Sequence, residues 1–292
     1  MAKQNPEKVP LIFKFNYNNY MEILTMDQLA QVVEYAEARA VADYIQAAPE
    51  DLRTELGMRI EFVGRATLVI TPGMDDLFYN RVIGLGVGEE ATEEQIDRII
   101  QYYEEANVGQ FYFHLSPGAR PENLWEWLEW RGFYPNGSWV KLIRDTSPPP
   151  YIETPLMIET ITPDFADAFA AIGVEAFGLP EILFPMLANT VGRQDWRHFI
   201  AFDGDYPAAG GAMHIHKDVA WLGFMGTRES HQKRGAQSAM ATRRLYEAAQ
   251  AGCKWAVSDT FEHTEDQPNR SLLNLQRLGF EIAYWRVNFL RM

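Results

Sequence analysis

The apolar positions change period sharply around one stretch, Trp221 to Gly252. Trp221 to Met225 is a short apolar run that predicts a strand, and Thr227 to Arg234 is a polar turn. From Gly235 the spacing becomes helical, with Ala241, Leu245, Ala248 and Ala249 expected on one face and Gly252 as the stop. A strand therefore feeds a turn that runs into a helix N-terminus. There the first amides lack intrahelical acceptors and the helix dipole is positive, a setting that suits an anion. Lys233 and Arg234 stand in the turn, Arg228 just before it, and Arg243 and Arg244 further along the helix.

The remaining pattern alternates strands and helices. Residues 1–20 read as an irregular arm, in which Leu11, Phe13, Phe15 and Tyr17 alternate as an edge strand would. A helix is expected from Met26 to Ala48, with Leu29, Val32, Val33, Ala36 and Ala40 on one stripe. Strands follow at 60–70, broken at Gly64-Arg65, and at 81–86. Thr92 and Gln95 have the spacing of a capping box for a helix over 92–106. A strand at 110–115, a helix at 122–131 and a strand or hairpin about Asn136-Gly137 complete this part. Asp145 to Pro150 holds three consecutive prolines, which continue neither helix nor central strand, and marks a boundary between units 1–147 and 148–292. Beyond it come a strand at 155–161, helices at 163–177 and 181–189, strands at 196–202 and 208–215, the central stretch, and a strand at 254–258. A helix at 269–278 and a strand at 284–290 end the chain.

The two units end alike. Arg131-Gly132-Phe133 precedes Val140 as Leu278-Gly279-Phe280 precedes Val287, both at an offset of 147 residues. The strand at 110–115 then corresponds to 254–259, and the helix at 92–106 to the one after Gly235. The fold class expected is α/β, two tandem mixed domains.

Composition narrows the partners. A net charge of −14 over 292 residues argues against a general nucleic-acid binder. The basic cluster at 228–244 stands out against that background. Cys253 is the only cysteine, so neither an internal disulfide nor a cysteine zinc cluster is expected. No signal peptide or membrane span is read from the sequence, and a cytoplasmic protein without metal or membrane partner is expected.

The segment Gln232-Lys233-Arg234-Gly235-Ala236-Gln237 resembles the pyrophosphate loop of the GNAT (GCN5-related) acyl-CoA N-acyltransferases, Q/R-x-x-G-x-G/A. It departs at the sixth position, where Gln237 replaces Gly or Ala. Asn269 to Phe280 resembles the same family's Asn-containing helix that closes on Leu-Gly-Phe, with a spacing of ten from Asn269 to Gly279 where eleven is usual. The element order agrees as well. The resemblance implies two GNAT-like domains, each a mixed, mostly antiparallel twisted sheet flanked by helices, and an acetyl group passed directly from acetyl-CoA, the co-substrate, to the amine of a small molecule or peptide. A non-catalytic acyl-CoA-binding protein on the same fold is the alternative. It implies that Met225 and Thr227 hold the pantetheine arm through their backbone, that amides from Lys233 to Ser238 cradle the diphosphate, and that Gln232, Asn269 and Asn274 assist. Asn269 serves equally as a plain helix cap. In the first unit, Glu89, Glu90, Glu93 and Glu94 occupy the corresponding loop and would repel a polyphosphate, so that unit is expected not to bind acyl-CoA.

The family's usual acid and base are missing. The strand at 221–225 has no Glu, and Leu275 stands where the usual Tyr would be. Asp259, Glu262 and Tyr284 are weak catalytic candidates, with His214 and His216 as further polar residues on a strand; each reads more simply as a surface or strand-end polar group. Both a monomer and a homodimer are compatible with the pattern.

Overall fold

The computed structural model describes residues 13–17, 20–266 and 268–291, with side chains from Leu24 onward. The expectation for Leu11 lies outside them. The chain begins with a small ribbon of β1 (Phe13–Tyr17) and β2 (Tyr20–Leu24). The first unit continues through α1 (Met26–Gln46), α2 (Glu50–Leu56), β3 (Arg59–Val63), β4 (Ala66–Ile70), β5 (Arg81–Ile83), α3 (Glu93–Glu105), β6 (Tyr112–Leu115), α4 (Leu124–Trp130) and β7 (Phe133–Asp145). The second has β8 (Met157–Thr160), α5 (Ala166–Phe177), α6 (Phe184–Ala188), β9 (Trp196–Asp203), β10 (Tyr206–His216), β11 (Val219–Thr227), α7 (Ala236–Gln250), β12 (Trp255–Phe261), α8 (Arg270–Arg277) and β13 (Glu281–Arg291). The architecture is α/β, two tandem units of mixed, mostly antiparallel sheet flanked by helices.

The two units share one 11-stranded sheet, ordered β3-β4-β5-β6-β13-β7-β12-β11-β10-β9-β8. The closing strands are exchanged. β13, from the second unit, lies between β6 and β7, while β7, from the first, lies between β13 and β12. The repeated Gly-Phe segments thus lead into two adjacent antiparallel strands about a local pseudo-twofold. Among the described strands only β5–β6 and β11–β12 pair in parallel, one such pair in each unit.

Three local details are settled or changed. Of the strand or hairpin expected about Asn136-Gly137, the strand is what forms. β7 runs straight through, and the two residues oppose the single residue Asn288 in a bulge, with Gly137 at φ 73°. α2 interrupts the stretch between α1 and β3; its cap, Gly57, is left-handed at φ 64°. On α7, Ala249 is exposed while Arg244 is buried, so the covered stripe is centred one residue away from the alanine pattern.

α1 is covered on more than one stripe. Beyond the apolar residues it buries Glu34 and Glu37 completely. It packs against strands of both units, β3 and β4 on one side and β10 and β11 on the other. Buried carboxylates need partners, and the exchanged strands supply them. Arg286 on β13 bridges Glu34 (3.0 Å) and Glu37. Lys141 on β7 lies 2.7 Å from Glu37, and Arg81 on β5 lies 3.3 Å from it. Burial pushes the Glu37 carboxyl up, but Arg286, Lys141 and Arg81 together outweigh that and hold it well below the usual carboxylate range.

Candidate functional site

β11 and β12 pair through only three residue pairs, ending at Trp221 and Val257, and then part. Beyond that point β11 runs six more residues and β12 four, leaving a wedge between them. β11 also bulges. Gly211 on β10 faces both Phe224 and Met225, and Phe224 takes φ 50°, a strained conformation for a bulky side chain. The Phe224 ring is held between Tyr44 of α1 (4.7 Å between centroids), Trp196 (5.8 Å) and Trp221 (5.7 Å). On the opposite face, buried Arg244 of α7 donates to the carbonyls of Ala212 (2.9 Å) and Gly223 (3.1 Å), fixing the bulge from below. Burial without a carboxylate lowers the Arg244 guanidinium to about 9.

At the open end of the wedge lies the turn into α7. Lys233 (φ 64°) and Gly235 (φ 81°) are both left-handed, with a negative-φ residue between them. Such alternation points successive amides to one side as an anion nest. The first bond into the helix runs from the Ala239 N–H to the Gly235 carbonyl, 3.0 Å. Among the described residues, the amides from Lys233 to Ser238 have no hydrogen-bond acceptor. Gly235 also lies close to the connecting segment. A Cβ there would stand 3.4 Å from the Glu153 carbonyl, and the Thr154 hydroxyl donates to the Arg234 carbonyl at 2.9 Å.

The basic side chains are less free than their number suggests. Arg234 is bidentate to Asp203 (2.6 and 3.1 Å), and Arg228 pairs with Glu175. Arg243 is tied to Glu247 at 2.7 Å. Lys233 makes no ion pair among the described residues. Gln232 joins the short 3-10 turn to the loop, its N–H reaching the Glu229 carbonyl at 3.3 Å. Gln237 turns to α8, donating to Ser271 Oγ (2.5 Å) and accepting from Asn274 (2.8 Å). It bridges α7 and α8 where a Gly or Ala would leave a gap. Asn269 caps α8 through the Leu272 N–H (3.1 Å) and donates to Thr260 (2.8 Å) and to the Phe261 carbonyl (2.6 Å), so it ties the helix to β12. The Met225 side chain packs toward α7, and Thr227 ends β11 at the turn.

The catalytic candidates fall in different places. Asp259 lies on β12 just past the point of parting. It accepts the Trp221 indole N–H at 3.0 Å and lies 3.6 Å from the Lys141 ammonium. Tyr284 is buried under α1 and donates to Glu34 at 2.7 Å; burial first, then Glu34, pushes its hydroxyl well above the usual tyrosine value. Glu262 is exposed at the β12 end, 3.4 Å from Ser138. His214 is buried beside Trp196 (5.0 Å), and its neighbour on β9, His198, bonds Thr190 at 2.9 Å. Phe224, Tyr44 and Lys141 were not singled out from the sequence. Their role depends on a bulge and on exchanged strands, which leave no local signature.

Burial lowers His198 to about 3 and His214 to about 4. His114, bonded to Asn288 at 2.7 Å, is held well below 6.5 by burial and then by Arg286 and Arg81. These imidazoles are neutral when folded and bind protons below about 6.5 when unfolded. Stability therefore falls as pH drops below 6.5, by about 1.4 kcal/mol per pH unit for each such group until its folded value is reached. Thermal melts from pH 7.5 to 4.5 should show this decline, and His214→Gln should make it shallower. A melting temperature flat from pH 7 to 5 would contradict it.

The first unit has the same strand relation but a closed loop. There the Gly86 carbonyl accepts from the Arg120 N–H and the Ala91 N–H donates to the Arg120 carbonyl, both at 2.8 Å. The loop is stitched to the segment after β6, whereas its counterpart at 233–238 presents free amides.

No protein-family model matches the chain, and no curated protein matches it. Solved structures do. A GCN5-related N-acetyltransferase from Kribbella flavida is 15% identical, with a TM-score of 0.60 over 89% of this chain and 95% of that one. A tandem GNAT protein from the clavulanic acid biosynthesis pathway is 13% identical, with a TM-score of 0.61 over 90% and 93%. A GCN5-related N-acetyltransferase from Sphaerobacter thermophilus is 16% identical, with a TM-score of 0.55 over 90% and 92%. The chain has the GNAT fold. At these identities the likeness is one of fold, and the GNAT fold spans both units. Among the described residues no helix is long and apolar enough to cross a membrane, and no group of three or more His, Cys, Asp or Glu is placed to hold a metal.

Proposed function

We propose that the second unit, 148–292, binds an acyl-CoA and transfers its acyl group, most simply acetyl, to a primary amine. The first unit, 1–147, would be a degenerate GNAT-like partner that walls the acceptor side through α1. The observation that carries this reading is the run of amides from Lys233 to Ser238 without acceptors, set where β11 and β12 part. Six donors and a helix N-terminus at one spot suit a diphosphate, and Lys233 adds a cation. The side of β11 beyond Trp221 that faces the wedge has no strand partner, which suits the amide groups of a pantetheine arm. The stitched loop of the first unit supports a single cofactor site.

Acetyl-CoA would supply an activated thioester. The protein must then place an amine and take its proton. Asp259 is the candidate for both tasks. Its carboxylate stands on β12 just past the point where the strands part, oriented by the Trp221 indole and by Lys141, and would hold an ammonium before accepting a proton from it. A C–N bond then forms, the C–S bond breaks, and the second proton shed by nitrogen passes to the departing thiolate, which needs no strong acid. The buried Tyr284 is committed to Glu34 and takes no part in this scheme.

A second reading, an acyl-CoA-binding protein without turnover, is favoured by the Gln237 bridge and by Leu275 standing where the family's usual Tyr would be. Release of CoA thiol from acetyl-CoA with a panel of primary amines separates the two. Turnover with any amine supports the transferase; saturable acetyl-CoA binding with no thiol release across the panel leaves the second.

A further inference from the structure

A second site is suggested where the two units meet across α1. The β3–β4 hairpin turn of the first unit and the β10–β11 turn of the second converge on one face of α1 and flank an open groove of about 420 Å³. That is the size of small-ligand pockets. It lies at the start of β11, while the amide nest lies past its end, roughly 25 Å away at strand rise. The two sites are therefore separate.

The groove is basic within an acidic protein. Arg39, Arg65 and Lys217 line it against one lining carboxylate, Asp218, with Glu89 3.9 Å from Arg65. Arg39 and Lys217 make no ion pair among the described residues. Arg65 is held in place by the Tyr35 hydroxyl at 3.3 Å, which is itself fixed to the Val87 carbonyl at 2.6 Å. Phe62 offers a half-exposed ring at the rim. Backbone strain marks the same spot. Both turns are two-residue hairpins whose first residue has positive φ. In the first unit that residue is Gly64 (φ 57°), whereas in the second it is Lys217 (φ 55°). A lysine in a glycine's conformation costs stability, and strain of this kind clusters at ligand sites.

We propose that this groove binds a small organic anion carrying two or more negative charges, a phosphate ester or a polycarboxylate. Arg39, Arg65 and Lys217 hold the charges, and Phe62 covers the apolar part. Both units contribute, so the ligand clasps them together and raises the melting temperature.

Calorimetric titration with citrate and with inorganic pyrophosphate tests this, using wild type, Lys217→Gly, Arg39→Gln and Lys233→Gln. One-to-one binding of citrate is expected, unchanged in Lys233→Gln and weakened about tenfold or more in Lys217→Gly and Arg39→Gln. Pyrophosphate, which also suits the amide nest, should show a groove site lost in those two variants beside a nest site that they leave. Citrate against pyrophosphate tells carboxylate from phosphate recognition. Lys217→Gly relieves the turn, so without ligand it should melt no lower than wild type; Arg39→Gln leaves the turn untouched and reports independently. Absence of binding by both anions would overturn the proposal. So would citrate binding that survives both groove variants, or that disappears in Lys233→Gln and thus belongs to the amide nest.

Discussion

Arg286→Met is expected to destabilise the protein by about 3–5 kcal/mol, because it leaves buried carboxylates short of their partner. Arg286 is fully buried, and Glu34 keeps only the Tyr284 hydroxyl once it is gone. Glu37 retains Lys141 at 2.7 Å and Arg81 at 3.3 Å, so most of the loss falls on Glu34. At about 2–4 °C per kcal/mol for chains of this order, the melting temperature should drop by roughly 10 °C. Glu34→Leu combined with Arg286→Met removes both charges and should recover at least half of the drop, since a buried pair replaced by apolar groups is often neutral. A fall of under 2 °C in the single variant would mean the network does not hold α1 to the exchanged strand. The consequence reaches beyond one helix. Glu34 and Glu37 come from the first unit and Arg286 from the second, so their pairing makes the two units unfold together.

Asp259→Asn is expected to lower amine acylation by about 10²–10⁴-fold, the range for removal of a positioned proton acceptor. Its acetyl-CoA affinity should be unchanged, because Asp259 lies on the α1 side of the sheet and the amide nest at the start of α7. Asparagine preserves size and can still accept the Trp221 N–H, and Lys141 keeps Glu37, so the fold should persist. Equal turnover in the variant would remove Asp259 from the mechanism. A parallel loss of acetyl-CoA binding would instead mark it as a structural support of the wedge.

Much of the fold was legible because its signals are local. Thr92 and Gln95 form the capping box that their spacing suggests, with the Thr92 hydroxyl accepting the Gln95 N–H. Glycines end helices where the periodicity stops, and the offset of 147 residues was visible in side chains that lead into two equivalent strands. The strand exchange was not legible. The Val140 pairing with Trp285 and with Thr260 joins residues more than a hundred positions apart, and either order of β7 and β13 satisfies the same alternation. At the site, the glycine loop and helix start were readable, but the state of its charges was not. Arg228, Arg234 and Arg244 count equally in a sequence. Their partners are Glu175, Asp203 and backbone carbonyls, each brought in by tertiary structure. Likewise Glu34 and Glu37 look like the polar face of a surface helix, and only the basic residues of the neighbouring strands explain their burial.

The central claim is that the turn from 233 to 238 holds the diphosphate of an acyl-CoA, and calorimetric titration with acetyl-CoA on wild type and Lys233→Glu tests it most directly. Lys233 is exposed and takes no part in the core, so the variant should fold, while it puts a carboxylate on the residue that opens the amide run. The account predicts one-to-one binding by wild type and a loss of about a hundredfold or more in the variant, where an attractive charge has become a repulsive one. No binding by wild type, or equal binding by both, would contradict it.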